Sequence, residues 1–391
     1  MSVEVQTPAA RVMRGAELAR LHREPPRQPR DAARRRRLTL IRRCAVTTWA
    51  IVIIYRTLTA GVAFNRELVL AYIATGLVAA SIGRRKMLMV VRDWLPFAVV
   101  LLVYDVSRGA ATLVGTPTLW RWQVGVDRWM FFGNIPTVWL QARLKLGDPP
   151  WWEVVISTVY MSFFVLPYVV AGVLWLRDRQ DWKAFVRRFV ALSFTALAIY
   201  IVLPAAPPWA AARCTSDDIL GGPAYPACMF GTSQGVSGGG LLGSMHSAQP
   251  GANQFVERIS TRGWETLHLH VARDLVNSGQ VSVNMVAAIP SLHAALAAMV
   301  AAFLWRRVQR RWRPLLAAYV LMMAFTLVYS GEHYVIDILL GWTLAAAVLA
   351  VVGRFESRRR APTSEPESMP DVHQVELELE LEPELERQGA A

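Results

Sequence analysis

Long apolar segments alternate with short arginine clusters along most of this chain. Eight segments are close to 20 residues long, the length of helix that crosses the hydrocarbon core of a bilayer. Hydrophobic residues make up 54% of the 391 positions, more than an ordinary soluble domain contains. The sequence therefore predicts an all-α, polytopic membrane helical bundle of about eight spans. The predicted spans are 44–63, 67–83, 94–115, 152–176, 185–204, 286–305, 314–330 and 333–353.

The positions of the basic residues predict how this bundle is oriented. Arginine and lysine cluster in alternate connections, and such clusters mark the cytoplasmic side of membrane proteins. The clusters lie within 84–92, 177–188, 306–313 and 354–360. Both termini are therefore expected in the cytoplasm, and the connections 116–151 and 206–285 are expected to face outward. Because this bias accounts for the net charge of +13, no nucleic-acid partner is expected.

The same pattern divides the chain into four regions. Residues 1–43 form a basic arm, expected to be disordered in the cytoplasm and either to contact anionic lipid or to act only as an orientation signal. Residues 44–93 hold two N-terminal transmembrane helices, and residues 94–353 form the membrane core. Residues 354–391, where Glu alternates with Leu, are expected to be a disordered, acidic cytoplasmic tail.

The two outward connections carry different signals. Segment 116–151 is rich in Trp and Phe, which is typical of an interfacial amphipathic helix with an aromatic belt. Segment 206–285 contains Cys214 and Cys228, and an oxidising outer side favours a disulfide between them. Its histidines lack the accompanying Cys or carboxylate spacing of a metal site, so no metal is expected. These histidines are His246, His268 and His270.

Two histidine-containing segments begin apolar spans on the predicted outer face. Ala287–Ala294, with the sequence AAIPSLHA, opens the sixth span, and Tyr329–Asp337, with the sequence YSGEHYVID, opens the eighth. In the second segment His333 and Asp337 are four residues apart and share one helical face. A single histidine near a helix end more often caps the helix. Two histidines, an aspartate and a serine on a shared face instead favour a catalytic site.

These residues supply what phosphoryl transfer through a histidine requires. The His333 ring attacks phosphorus, while Asp337 orients that ring and stabilises its developing charge. Ser291 and the backbone N–H groups starting at Leu292 form a helix N-terminus, which binds anions. His293 lies beside this N-terminus and is suited to protonate the leaving alkoxide. The mechanism requires no metal and no organic cofactor, so none is expected.

Both segments also resemble known motifs. Pro290–His293 and Gly331–Asp337 resemble the second and third motifs of the type-2 phosphatidic acid phosphatase superfamily. Leu292, in place of a glycine before the histidine, is similar to the superfamily's inositol phosphorylceramide synthase-like (inositolphosphotransferase-like) branch. The proline-rich Leu203–Trp209 and the segment Asp127–Gln141 are also similar to motifs of that branch.

The resemblance covers roughly residues 95–350. It implies a six-helix membrane core and a phosphohistidine intermediate. The roles that it implies are nucleophile for His333, orienting group for Asp337, general acid for His293 and phosphate-binding donor for Ser291.

One expected element of the superfamily is missing. Its usual first motif, a lysine followed after six residues by Arg-Pro, is absent from the chain. The similar pattern Arg306–Pro314 follows the second motif and falls on the predicted cytoplasmic side. A phosphate in a poorly solvated site still needs a cation. The candidates are Arg108, near the outer end of the third span, and Arg213, just past the proline-rich motif; alternatively, Asp105 holds Arg108 in a structural ion pair.

The sequence thus predicts an integral membrane enzyme of a bacterial plasma membrane, with its site on the extracytoplasmic side. Its substrate is expected to be a phosphorylated lipid. The resemblance favours a phospho-headgroup transferase, with a lipid or sugar hydroxyl as acceptor. The alternative, with water as acceptor, is a lipid phosphate or polyprenyl phosphate phosphatase. A catalytically silent lipid-binding scaffold and a transporter are further hypotheses, and the oligomeric state stays open. Additional candidates for the substrate pocket are Asp105, Asp127, Pro207, Pro208, Asn284 and Tyr334.

Overall fold

The computed structural model describes residues 29–60, 66–83, 87–109, 114–230, 238–246, 249, 251–264, 266 and 284–360. Regular secondary structure in these residues is helical, without a β-strand, so the predicted all-α class is confirmed. The chain divides into two compact units, residues 1–346 and 347–391. The helices are α1 Pro29–Ala60, α2 Arg66–Ser81, α3 Met87–Gly109, α4 Trp122–Met130, α5 Pro136–Leu144, α6 Trp152–Arg177, α7 Arg179–Val202, α8 Pro208–Ala211, α9 Leu292–Trp305, α10 Arg313–Tyr329 and α11 Val335–Arg360.

Every predicted apolar span overlaps one of these helices. Helices α2 and α9 are apolar but short. Within the part of the chain that the structure describes, five segments are long and apolar enough to cross a membrane. These are Ala33–Thr57, Trp152–Arg177, Arg179–Val202, Arg310–Tyr329 and Val335–Arg359. The protein is therefore a polytopic integral membrane protein, as predicted.

The first and last helices extend beyond the predicted spans. Helix α1 begins at Pro29, and α11 continues to Arg360, so residues 29–43 and 354–360 are helical rather than disordered. Arginine and alanine favour helix, and proline is accommodated in a first helical turn. The rest of the predicted arm and tail lies outside the described residues, as do His268 and His270.

Helix α9 packs against α6, α7 and α10. Alanine supplies six of its 14 residues. Small side chains let membrane helices approach closely, which matters because apolar packing between helices gains little over contact with lipid tails. One buried cluster joins α6, α9, α10 and the first turns of α11. Its members are Tyr160, Met161, Trp264, Ala294, Ala297, Met323, Leu327, Val328 and Ile338.

Segment 116–151 contains two short helices, α4 and α5, rather than the single helix predicted. The turn between them holds Phe132 at a φ of 54° and Gly133 at a φ of 92°. Phe132 is 97% exposed, and α4 exposes Trp122 and Trp129 on the opposite side from buried polar residues. An exposed aromatic face of this kind is typical of a helix that lies at the membrane interface.

The described part of the connection 206–285 includes a disulfide and the segment 252–264. Cys214 and Cys228 form the expected disulfide. Among the described residues Cys44, on α1, is a free and exposed cysteine. The disulfide closes a loop directly after α8, next to the proline-rich motif.

Buried polar residues of α5 and its C-terminal end hold the segment 252–264. The Gln141 Oε1 atom accepts the N–H of Glu257 at 2.9 Å. The Lys145 ammonium donates to the Glu257 carboxylate at 2.9 Å and to the Phe255 carbonyl at 2.7 Å. Because Gln141 and Lys145 are fully buried, these partners remove a large cost of burying polar groups. The segment is thereby fixed against the membrane core.

Candidate active site

The turn between α10 and α11 positions His333. Gly331 adopts a φ of 75°, a left-handed conformation that glycine takes without steric cost. Its carbonyl accepts the N–H of Trp209 at 3.0 Å, and the Ser330 carbonyl accepts the N–H of Ile259 at 3.1 Å. Helix α8 and the segment 252–264 therefore hold the turn that carries the histidine.

His333 and Asp337 form a buried pair at the start of α11. The Nδ1 atom of His333 lies 3.5 Å from Oδ2 of Asp337, and this oxygen also accepts the N–H of Tyr334 at 3.0 Å. A carboxylate facing Nδ1 favours a proton on that nitrogen and leaves the lone pair on Nε2. Catalytic hydrogen bonds are often long before substrate binds. The pair is therefore arranged for a nucleophilic Nε2.

His293 and His333 converge although His293 lies on α9 and His333 lies in the turn between α10 and α11. Their ring centroids are 5.8 Å apart. The His293 ring stacks on Tyr160 at 4.9 Å and contacts Phe163 at 3.9 Å, both from α6. A phosphoryl group on one imidazole can therefore contact the other, which acid–base assistance requires. The predicted convergence is observed, whereas the catalytic roles stay predictions.

Ser291 and Leu292 begin α9 and link it to α11. Ser291 caps the helix, with its Oγ accepting the N–H of Ala294 at 3.4 Å. Its own N–H donates to the backbone carbonyl of Asp337 at 2.9 Å. The helix N-terminus, which favours anions, is thus joined to Asp337, the carboxylate partner of His333.

A Gly341→Ala substitution is expected to displace this link. Gly341 lies on α11 so close to Ser291 that a Cβ would be 2.4 Å from the Ser291 backbone oxygen. We expect a destabilisation of about 1–3 kcal/mol from overpacking and a fall in lipid turnover of about 100-fold from misplacement of the site. Thermal unfolding in detergent and product formation measure the two effects.

The matched control is Gly172→Ala on α6. A Cβ at Gly172 would lie at an ordinary contact distance of 3.6 Å from Cγ2 of Ile73. Equal losses from Gly341→Ala and Gly172→Ala would show that the effect comes from altered helix packing in general rather than from contact with Ser291.

Asp127, a predicted pocket residue, caps α11 from α4. Its Oδ2 accepts the N–H of Val335 at 3.0 Å, and its Oδ1 accepts the N–H of Ile336 at 3.1 Å. Burial raises the pKa of the Asp127 carboxyl to about 6, although the two N–H donors oppose the shift and the charge of Asp337 adds to it. Near pH 7 the carboxylate form therefore holds the helix that follows His333.

The proline-rich motif lies between two other backbone segments of the site. Ala205 forms isolated parallel bridges with Leu119 on one side and Ala287 on the other. Pro207 and Pro208 then begin helix α8, where fixed φ angles suit the first helical position. Both prolines are buried. They position the next residue, Trp209, whose backbone N–H donates to the Gly331 carbonyl.

Tyr334 and Asn284 have structural partners. Tyr334 is fully buried in an apolar cluster with residues of α4, α8 and neighbouring loops. The Asn284 Oδ1 atom accepts the N–H of Val286 at 3.1 Å and the Tyr225 hydroxyl at 3.3 Å. Both side chains support the backbone around the site, and their contact with substrate stays a prediction.

The two histidine segments lie in a region shared with known proteins. The family model described as the PAP2 superfamily matches residues 121–351, which include both segments. This chain belongs to the PAP2 superfamily. A phosphoinositol dihydroceramide synthase from Bacteroides thetaiotaomicron is 25% identical over 290 residues, which cover 72% of this chain and 81% of that protein. No solved structure matches the chain.

These matches confirm the resemblance to the type-2 phosphatidic acid phosphatase superfamily and to its inositol phosphorylceramide synthase-like branch. The PAP2 protein is therefore a membrane enzyme, either a lipid phosphotransferase or a lipid phosphatase. A catalytically silent scaffold and a transporter are no longer needed as hypotheses.

Of the two arginines predicted to bind phosphate in this PAP2 protein, the structure describes the side chain of Arg213 but not that of Arg108. The backbone of α3 is described through Gly109, but the side chains of Asp105 and Arg108 lie outside the described residues. Arg213 is half-buried, and one of its amino groups donates to the Met229 carbonyl at 3.1 Å. Burial lowers the pKa of Arg213. Its guanidinium contacts a loop carbonyl, and a phosphate role for it stays a prediction.

Sequence reasoning missed a polar group beside His333. Arg258 donates to the Glu332 carboxylate at 2.8 and 3.2 Å, and the Ser260 hydroxyl donates to it at 2.6 Å. Burial alone would raise the pKa of Glu332, but the Arg258 charge and these hydrogen bonds outweigh burial and lower it. Glu332 stands within the histidine motif, whereas Arg258 is separated from it by 74 residues and follows no repeating pattern.

Proposed function

We propose that this PAP2 protein is a phospho-headgroup transferase that works through a phosphohistidine at His333. The observation that carries the proposal is the buried His333–Asp337 pair with the His293 ring centroid 5.8 Å from that of His333. In the first step Nε2 of His333 attacks the phosphorus of a phosphodiester lipid. The bond from phosphorus to the lipid oxygen breaks, and His293 donates a proton to the departing alkoxide.

In the second step a hydroxyl acceptor replaces the departed lipid. The acceptor gives its proton to neutral His293 and its oxygen attacks phosphorus, after which the phosphorus–nitrogen bond breaks and restores His333. Water in place of the hydroxyl would release the phosphorylated headgroup from this intermediate. With a phosphomonoester lipid as donor, His333 would instead carry a bare phosphoryl group, and water would release inorganic phosphate, so lipid phosphatase activity is the alternative. The relative named phosphoinositol dihydroceramide synthase supports a phosphoinositol headgroup and a ceramide-type acceptor.

The proposal includes the side of the membrane on which the site opens. His293 begins α9, whose other end precedes the basic residues 306–313. His333 precedes α11, whose sequence ends in the basic residues 354–360. Because basic clusters favour the cytoplasm, both histidines are proposed to face the extracytoplasmic side of a bacterial plasma membrane, with both termini in the cytoplasm.

Reconstituted protein tests the proposal directly. Liposomes would contain phosphatidylinositol with labelled inositol, with or without a ceramide acceptor. We expect labelled inositol to appear on ceramide only when protein, donor and acceptor are all present. Release of inorganic phosphate from phosphatidic acid, without transfer to ceramide, would support the phosphatase alternative. Absence of both products from folded protein would contradict the whole proposal.

A further inference from the structure

A phosphate that enters the His293–His333 site brings negative charge into a largely buried region. Charge of this kind is stabilised by fixed donors and cations that already lie where it develops. Among the described residues, Arg258 is the cation whose guanidinium contacts the residue next to His333. Arg258 is therefore a better candidate for binding phosphate than Arg213, whose guanidinium contacts the Met229 carbonyl.

Arg258 is anchored on both sides of the site. Its Nε and one amino group donate to Glu332, directly before His333. Its guanidinium also interacts with the Tyr160 hydroxyl, and the Tyr160 ring stacks on His293 at 4.9 Å. The guanidinium lies 5.2 Å from the ring centroid of Trp209. Arg258 therefore connects the immediate neighbours of both histidines.

We propose that Arg258 is the phosphate-binding cation of this site, oriented by Glu332 and Tyr160. The inference rests on the proposed function, because it concerns the same bound phosphate. A guanidinium has five N–H donors, of which Glu332 accepts two. The Arg258 side chain is still 26% exposed, so it retains donors and surface for an oxyanion.

The chain contains a second ion pair that separates a phosphate-binding role from a structural one. Arg262 donates to the Glu153 carboxylate at 2.8 and 2.5 Å. It belongs to the same segment as Arg258, and its partner is likewise a buried glutamate that accepts a hydroxyl, here from Tyr329 at 2.7 Å. Arg262 and Glu153 do not contact the histidines through any contact described above. The pair is therefore a matched control for loss of a buried ion pair.

The experiment compares two double variants, Arg258→Met with Glu332→Gln and Arg262→Met with Glu153→Gln. Removing both members avoids an orphaned buried charge, which would be strongly destabilising. Full-length protein in detergent is titrated with inorganic phosphate and with orthovanadate, and calorimetry gives each Kd. We expect the Arg258 double variant to bind both anions about 10- to 100-fold more weakly, and the Arg262 double variant to bind them like wild type.

Loss of the negative Glu332 by itself favours anion binding, so weaker binding would be attributable to the guanidinium. If the Arg258 double variant does not fold, Arg258→Lys is compared with Arg262→Lys. Lysine keeps the positive charge but lacks the forked N–H donors of a guanidinium. Weaker anion binding is expected only for Arg258→Lys. Unchanged binding by the Arg258 variants would overturn this inference alone. A wild-type protein that binds neither anion would overturn it together with the proposed function, whereas normal anion binding without lipid products would overturn only the transferase proposal.

Discussion

A His333→Asn variant is expected to form no phosphoenzyme and to lose lipid turnover by at least about 10⁴-fold. Asparagine fills similar space next to Asp337 but has no nitrogen lone pair able to attack phosphorus. Removal of a nucleophile from a triad-like site eliminates nearly all chemistry beyond what binding and electrostatics provide. The measurement is covalent labelling from phosphatidylinositol with labelled inositol, after an alkaline quench, together with steady-state turnover.

The matched control for this prediction is His246→Asn. His246 is exposed in the connection 206–285, and its replacement is expected to leave labelling and turnover unchanged. A His333→Asn protein that unfolds at the wild-type temperature and still becomes labelled would rule out His333 as the nucleophile. Loss of labelling in both variants would indicate that the assay reports general damage.

A His293→Asn variant is expected to lose about 10²- to 10⁴-fold in turnover with a natural lipid donor, the usual contribution of a general acid. The loss is expected to be far smaller for single-turnover release of nitrophenolate from an aryl phosphodiester. A lipid alkoxide must be protonated as it leaves, whereas nitrophenolate is stable without a proton. The comparison therefore isolates proton donation from the positioning of the ring between Tyr160 and Phe163.

Equal losses with the two leaving groups would contradict the general-acid assignment. In that case His293 would act by binding phosphate or by supporting the packing against α6. Thermal unfolding of the variant must also be measured, because disrupted packing around Tyr160 and Phe163 would reduce turnover with both leaving groups.

The sequence alone determined the features that depend on neighbouring residues. A run of about 20 apolar residues must satisfy its backbone groups internally in lipid, so each such run predicts a helix. The spacing of His333 and Asp337 likewise predicts their contact at the start of α11, although His333 itself lies in the turn before the helix, which begins at Val335. The start of α9 at Leu292 follows from a local cap at Ser291. These properties need no knowledge of distant contacts.

Only the tertiary structure decided which distant polar groups complete the site. Asp127 caps α11 across 208 residues, and Arg258 reaches Glu332 across 74. Contacts between residues so far apart in sequence leave no periodic pattern from which they could be predicted. They form because burial makes an unpaired carboxylate or guanidinium costly, so packing of the helices selects the partner.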